Sequence, residues 1–195
     1  MTKDLKKLIL TEQDYDDAAQ LLGVNKAVIK AVAEVESAGN GFLNNGMVKI
    51  LFEAHIFSKL TGGKYDKTHP SISAPKWDKS LYKGGVKEYE RLNEALKLNI
   101  EAAYKSTSFG KFQIVGYNYS SCGYASVLEF VNAMQTSEGE HLKAFVNFIK
   151  SKGMDKLLQK LDWAGFARSY NGSGYKLNRY DERLAVAYKK YSEAL

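Results

Sequence analysis

Asn25-Lys26-Ala27-Val28-Ile29-Lys30-Ala31-Val32-Ala33-Glu34-Val35-Glu36-Ser37-Ala38-Gly39 sets Val28, Ile29, Val32 and Val35 at helical spacing. An asparagine suited to capping precedes that stripe and an Ala-Gly stop follows it. The spacing predicts a helix with one apolar face. At 100° per residue, Glu36 falls roughly 50° from the centre of that face and Glu34 roughly 150° from it. Glu34 is expected in water, paired with Lys30 four residues back. Glu36 is expected beside Val32 and Ile29 in the last turn, where desolvation and the negative helix end both disfavour an anion and raise the pKa. A carboxyl kept protonated at working pH suits a general acid. From spacing alone, a plain hydrogen bond from a loop amide to Glu36 is the favoured alternative.

Upstream, Thr11 and Asp14 form a capping box ahead of Tyr15, Ala18, Ala19 and Leu22, predicting a first helix that stops at Gly23. Downstream, Asn45-Gly46 signals a hairpin turn and the run Met47 to Phe52 favours β structure. Glu53 ends that run, where a returning strand would aim it back across the end of the second helix. Two carboxylates facing one cleft, one acidified by apolar walls and one ionised, are the basic equipment of glycoside hydrolysis. A charge pairing of Glu53 with His55 or Lys59 is the alternative.

The rest of the chain reads as helices near 55–60, 86–105, 126–134, 138–151, 154–161, 163–170 and 181–191. A loop over 64–85 holds both prolines, Trp77 and many lysines. The expected fold class is mainly α (α+β), a helical bundle with one small β-hairpin or sheet, forming a single domain over 1–195. Two later segments read as cleft walls. Ser108-Phe109-Gly110-Lys111-Phe112-Gln113-Ile114 joins small, aromatic and amide residues that let a backbone approach a sugar. Tyr170-Asn171-Gly172-Ser173-Gly174-Tyr175 is either a tyrosine-flanked sugar-stacking loop or a simple turn.

Composition excludes several classes. Of 195 residues, 45% are hydrophobic and 26% charged, which rules out disorder as the main state. Apolar runs such as Ile50-Leu51-Phe52 fall far short of the roughly 20 residues that span a bilayer. No stable membrane insertion is expected, and with no apolar signal segment over 1–10 the expected residence is cytoplasmic. Cys122 is the only cysteine, so no internal disulfide forms, and it reads as a small buried filler. His55, His69 and His141 lack zinc-helix spacing, and neither metal nor cofactor is expected. A net charge of +6 favours anionic partners. The lysines are dispersed among Glu and Asp rather than gathered on one basic helix, which argues against nucleic acid.

Taken together, the run 31–37, the stretch 39–42, Ile50-Leu51-Phe52-Glu53-Ala54-His55, Ser108 to Ile114 and Ser169-Tyr170-Asn171-Gly172 resemble the peptidoglycan N-acetylmuramidase domain of bacteriophage endolysins, within the lysozyme-like superfamily. The resemblance runs from about Thr11 to Tyr191. It implies cleavage of the β-1,4 bond between N-acetylmuramic acid and N-acetylglucosamine for host lysis. Glu36 maps onto the superfamily's acid, Glu53 is expected as second carboxylate, and Ser37, Phe109, Gln113, Tyr170, Asn171 and Tyr175 are expected to bind sugar. The implied partner of this monomer is bacterial peptidoglycan. Anionic envelope polymers would meet Lys64, Lys67, Lys76, Lys79 and Lys83, and a membrane lesion would release the enzyme from the host cytoplasm to the wall. Alternatives from other classes are a lytic transglycosylase giving 1,6-anhydro products and a non-catalytic wall- or nucleic-acid-binding domain.

Overall fold

The computed structural model describes residues 9–37 and 39–194. Helices α1 (Glu12–Leu22) and α2 (Lys26–Glu36) start where the sequence places them. Thr11 Oγ1 accepts from Asp14 N–H while Asp14 Oδ2 accepts from Thr11 N–H, and Gly23 ends α1 at φ +65°, a conformation open to glycine. Asn25 caps α2 through Ala27 N–H at 2.8 Å. Seven of the eleven residues of α2 are buried, so it runs through the core rather than along its surface. Helix α10 (Tyr180–Ser192) crosses it, with α1 on another side.

Strand β1 (Ile50–Phe52) leads into α3 (Ala54–Leu60). The expected hairpin partner is displaced. The Asn45-Gly46 turn forms, with Gly46 N–H on Leu43 carbonyl, but it yields only an isolated bridge between Phe42 and Val48. β1 pairs instead with β2 (Thr107–Phe109) in the register Ile50 to Phe109 and Phe52 to Thr107, and β2 turns back into β3 (Ile114–Val115). Thus Ser108 to Ile114, read from sequence as a cleft wall, is a hairpin that completes a three-stranded antiparallel sheet. The helix expected over 86–105 is two, α4 (Lys87–Leu98) and α5 (Ile100–Lys105). Asn99 breaks it: its backbone is extended at φ −160°, ψ 107°, and its Oδ1 caps α5 by accepting from Ala102 N–H at 2.9 Å. A short side-chain amide competing for backbone partners favours such a cap over a helix interior.

The second half is helical: α6 (Val127–Met134), α7 (Glu138–Ser151), α8 (Asp155–Gln159) and α9 (Trp163–Asn171) precede α10. Phe52, Phe57, Phe130, Phe145 and Phe166 lie fully buried in one apolar cluster reaching from Ala18 to Ala187. Among the described residues no helix is long and apolar enough to cross a membrane.

Candidate active site

Glu36 is the last residue of α2, half-buried, and Asn171 at the end of α9 donates from Nδ2 to its Oε1 at 3.0 Å. Burial is the larger influence and raises the Glu36 pKa; the Asn171 amide and the Arg183 guanidinium pull it partly back. Burial thus favours the protonated carboxyl, while the Asn171 amide favours the anion. Asn171 is aimed by its neighbour. Tyr170 stacks on Phe166 at 5.9 Å between ring centroids and meets Phe145 edge-on at 5.4 Å. Burial, then the nearby Glu36 charge, raises the Tyr170 pKa and keeps its phenol neutral.

Glu34 does face outward, but its partner is not Lys30. Lys190 Nζ and Tyr191 Oη on α10 reach Glu34 Oε2 at 2.7 and 2.6 Å. Lys30 instead pairs with Glu12 at 2.7 Å. The crossing of α10 over α2, invisible to helical spacing, makes the exchange.

The chain leaving α2 is gripped by a buried polar group. Glu138 Oε1 accepts from Gly41 N–H at 2.6 Å, and Lys111 Nζ lies 3.2 Å from Glu138 Oε2 and donates to Gly39 carbonyl at 3.1 Å. His141, fully buried and stacked on Phe42, accepts at Nδ1 from Lys111 N–H and donates from Nε2 to Met134 carbonyl. Those partners assign a neutral ring, in keeping with a pKa that burial depresses. A Cβ at Gly41 would stand 2.5 Å from His141 Nδ1, and one at Gly110 2.8 Å from its ring. Lys49 completes the frame, since its N–H reaches Gly41 carbonyl and its carbonyl accepts from Gly110 N–H. One stitched frame thus runs from just after Glu36 to just before Glu53.

Glu53 sits between β1 and α3, its side chain 13% exposed. Its N–H is held by Ser106 carbonyl at 2.9 Å, and Tyr82 Oη donates to its Oε2 at 2.5 Å, with His55 Nδ1 3.4 Å from the same oxygen. Beneath it lies the ion pair Glu88–Arg91, 0% and 1% exposed. Glu88 accepts from the N–H groups of Phe52, Lys83 and Gly84, and Arg91 Nη1 donates to Phe52 carbonyl. Burial opposes the Glu88 carboxylate, but those amides and Arg91 outweigh it and hold its pKa below the ordinary value.

Of the residues expected to bind sugar, the fold brings Tyr170 and Asn171 to Glu36, and Ser37 caps its helix. Gln113 turns inward: its Nε2 donates to Gly110 carbonyl at 2.8 Å and to Lys49 carbonyl at 3.3 Å, bracing the β2–β3 turn at φ +47°. Phe109, 2% exposed against Phe130, and Tyr175, 3% exposed, are core side chains with no face turned to a ligand. Sequence spacing missed Tyr82, Glu88, Arg91, Glu138 and Lys111. Only the aromatic content of the 64–85 loop and the glycines at 41 and 110 hinted at them. Cys122 is buried, its thiol pushed up to about 12 by burial. Among the described residues no three His, Cys, Asp or Glu side chains cluster as metal ligands.

A mainly helical body with a small antiparallel sheet, bearing at a core helix end a glutamate whose pKa burial raises, fits the lysozyme-like fold. The N-acetylmuramidase family profile matches residues 25–192, and the chain belongs to that family. A crystal structure of the Burkholderia AP3 phage endolysin superposes with a TM-score of 0.88 at 40% identity, covering 95% of this chain and 72% of that one. No curated protein matches.

Proposed function

We propose that this N-acetylmuramidase is a phage endolysin in which Glu36 is the general acid that cleaves the β-1,4 bond between N-acetylmuramic acid and N-acetylglucosamine. The observation that carries the reading is the desolvated Glu36 carboxyl with one oxygen on Asn171. Glu36 gives its proton to the bridging oxygen as the bond from that oxygen to the anomeric carbon breaks, and the leaving sugar departs as an alcohol. Glu53 supports the positive charge that develops on the ring, and water then bonds to the anomeric carbon and returns a proton to Glu36. Asn171 and Tyr170 hold Glu36 in place, with Ser37 beside them at the helix end. The apolar cluster running through the chain supports one catalytic domain.

The exposed Lys64, Lys67, Lys76, Lys79 and Lys83 fit binding to anionic envelope polymers alongside peptidoglycan. The enzyme acts on the wall once the host membrane is breached. Purified walls treated with the wild type and with Glu36→Gln test the assignment. Loss of clearing with the fold retained, and reducing-end muramic acid in the wild-type fragments, support it. Lysis by the variant within a few-fold of wild type removes Glu36 from the mechanism, and 1,6-anhydro ends replace hydrolysis with transglycosylation.

A further inference from the structure

Trp77, Tyr82 and Glu53 form a chain of hydrogen bonds that ends on one carboxylate oxygen. Trp77 Nε1 donates to Tyr82 Oη at 2.8 Å, and Tyr82 Oη donates to Glu53 Oε2 at 2.5 Å. A donor behind the phenol polarises it and strengthens its own donation. Oε1 of Glu53 makes no hydrogen bond among the described residues. The two oxygens are therefore unequal: one is held and one is left to act.

The support under this chain is shared. Glu88 Oε1 takes the N–H groups of Lys83 and Gly84, the two residues after Tyr82, and Glu88 Oε2 takes the N–H of Phe52, the residue before Glu53. Arg91 lies over both the Phe52 and Tyr82 rings, at 5.2 and 5.9 Å. On the outer side the Trp77 ring meets Tyr82 edge-on at 6.5 Å and is 61% exposed. A buried ion pair thus fixes the backbones beside the phenol and the carboxylate together, which a chance surface contact does not need.

We infer that Tyr82, backed by Trp77, is a positioning residue that locks Glu53 through Oε2 and presents Oε1 to the reacting sugar. The inference rests on the role proposed for Glu53. A carboxylate free to rotate about its last bond loses this alignment, and misplacement of about 1 Å costs on the order of 10²-fold in rate. Tyr82→Phe keeps the ring and removes the tether, so kcat on soluble uncrosslinked peptidoglycan strands should fall about 10-fold with KM changed by less than about two-fold. Trp77→Phe, which keeps an aromatic ring but removes the N–H donor, should lower kcat by about three-fold.

The chain has two tryptophans, Trp77 and Trp163, so two indole N–H resonances report on it. The Trp77 resonance should shift in both Tyr82→Phe and Glu53→Gln. Glu53→Gln with wild-type turnover removes the role of Glu53 itself. With Glu53→Gln inactive, wild-type kcat in Tyr82→Phe overturns the positioning role, as does a raised KM at unchanged kcat. Should Tyr82→Phe fail to fold, Trp77→Phe decides: a lower kcat at constant KM supports the proposal, and an unchanged kcat overturns it.

Discussion

Replacing Asn171 by Ala removes the one side-chain donor on Glu36 Oε1 among the described residues, a bond of 3.0 Å in a half-buried setting. That bond favours the charged form, against the burial that favours the neutral one. A hydrogen bond to a charged group contributes about 1.5–3 kcal/mol, and one pKa unit corresponds to about 1.4 kcal/mol. Loss of the bond, partly replaced by water, should raise the Glu36 pKa by about one unit. The alkaline limb of the kcat/KM profile, where the acid loses its proton, should then move to higher pH by the same amount. Clearing of purified walls between pH 4 and 9 measures it.

Stability follows the same sign. A carboxyl whose folded pKa exceeds its unfolded value binds more protons when folded, so its contribution is complete below the unfolded pKa and is lost as pH rises through the folded one. Asn171→Ala should therefore lose more stability than the wild type between pH 4 and 7 in urea titrations, and Glu36→Gln should remove that pH dependence. An alkaline limb that stays fixed or moves down in Asn171→Ala refutes the reasoning, because Asn171 would not be acting on the titrating group.

Two further outcomes follow from the buried frame. Glu88→Ala strands Arg91 without its partner and leaves three backbone N–H groups lacking their acceptor, so it should cost about 3–5 kcal/mol in chemical denaturation. Gly41→Ala drives a methyl to 2.5 Å from His141, so it should cost about 1–3 kcal/mol by the same measurement and slow wall lysis, since the displaced loop follows the Glu36 helix.

Short-range signals were read correctly at the caps of the first two helices and along the apolar stripe of α2. The Thr11–Asp14 box, the Asn25 cap and the stripe of α2 formed as local chemistry requires. The pKa of Glu36 rises as its angle from that stripe implied. Errors arose where two distant segments compete for one partner. The run ending at Phe52 chose Thr107–Phe109 over its own hairpin, and Glu34 chose α10 over Lys30. Asn99 is an exception, a local capping signal hidden inside a strong apolar period.

By itself the chain's pattern determined a mainly helical body, a small β element after the second helix, and a glutamate forced toward apolar surroundings, because helical period and caps act over a few residues. Only the tertiary structure decided which oxygen of Glu36 meets Asn171, which oxygen of Glu53 meets Tyr82, and that Phe109 and Tyr175 turn into the core. Those partners lie 135 residues apart in the first case and 29 in the second, and no local interaction spans such distances. Burial of Glu88–Arg91 and of Glu138 with His141 holds the separated pieces in register, since desolvated polar groups keep their partners only in one arrangement.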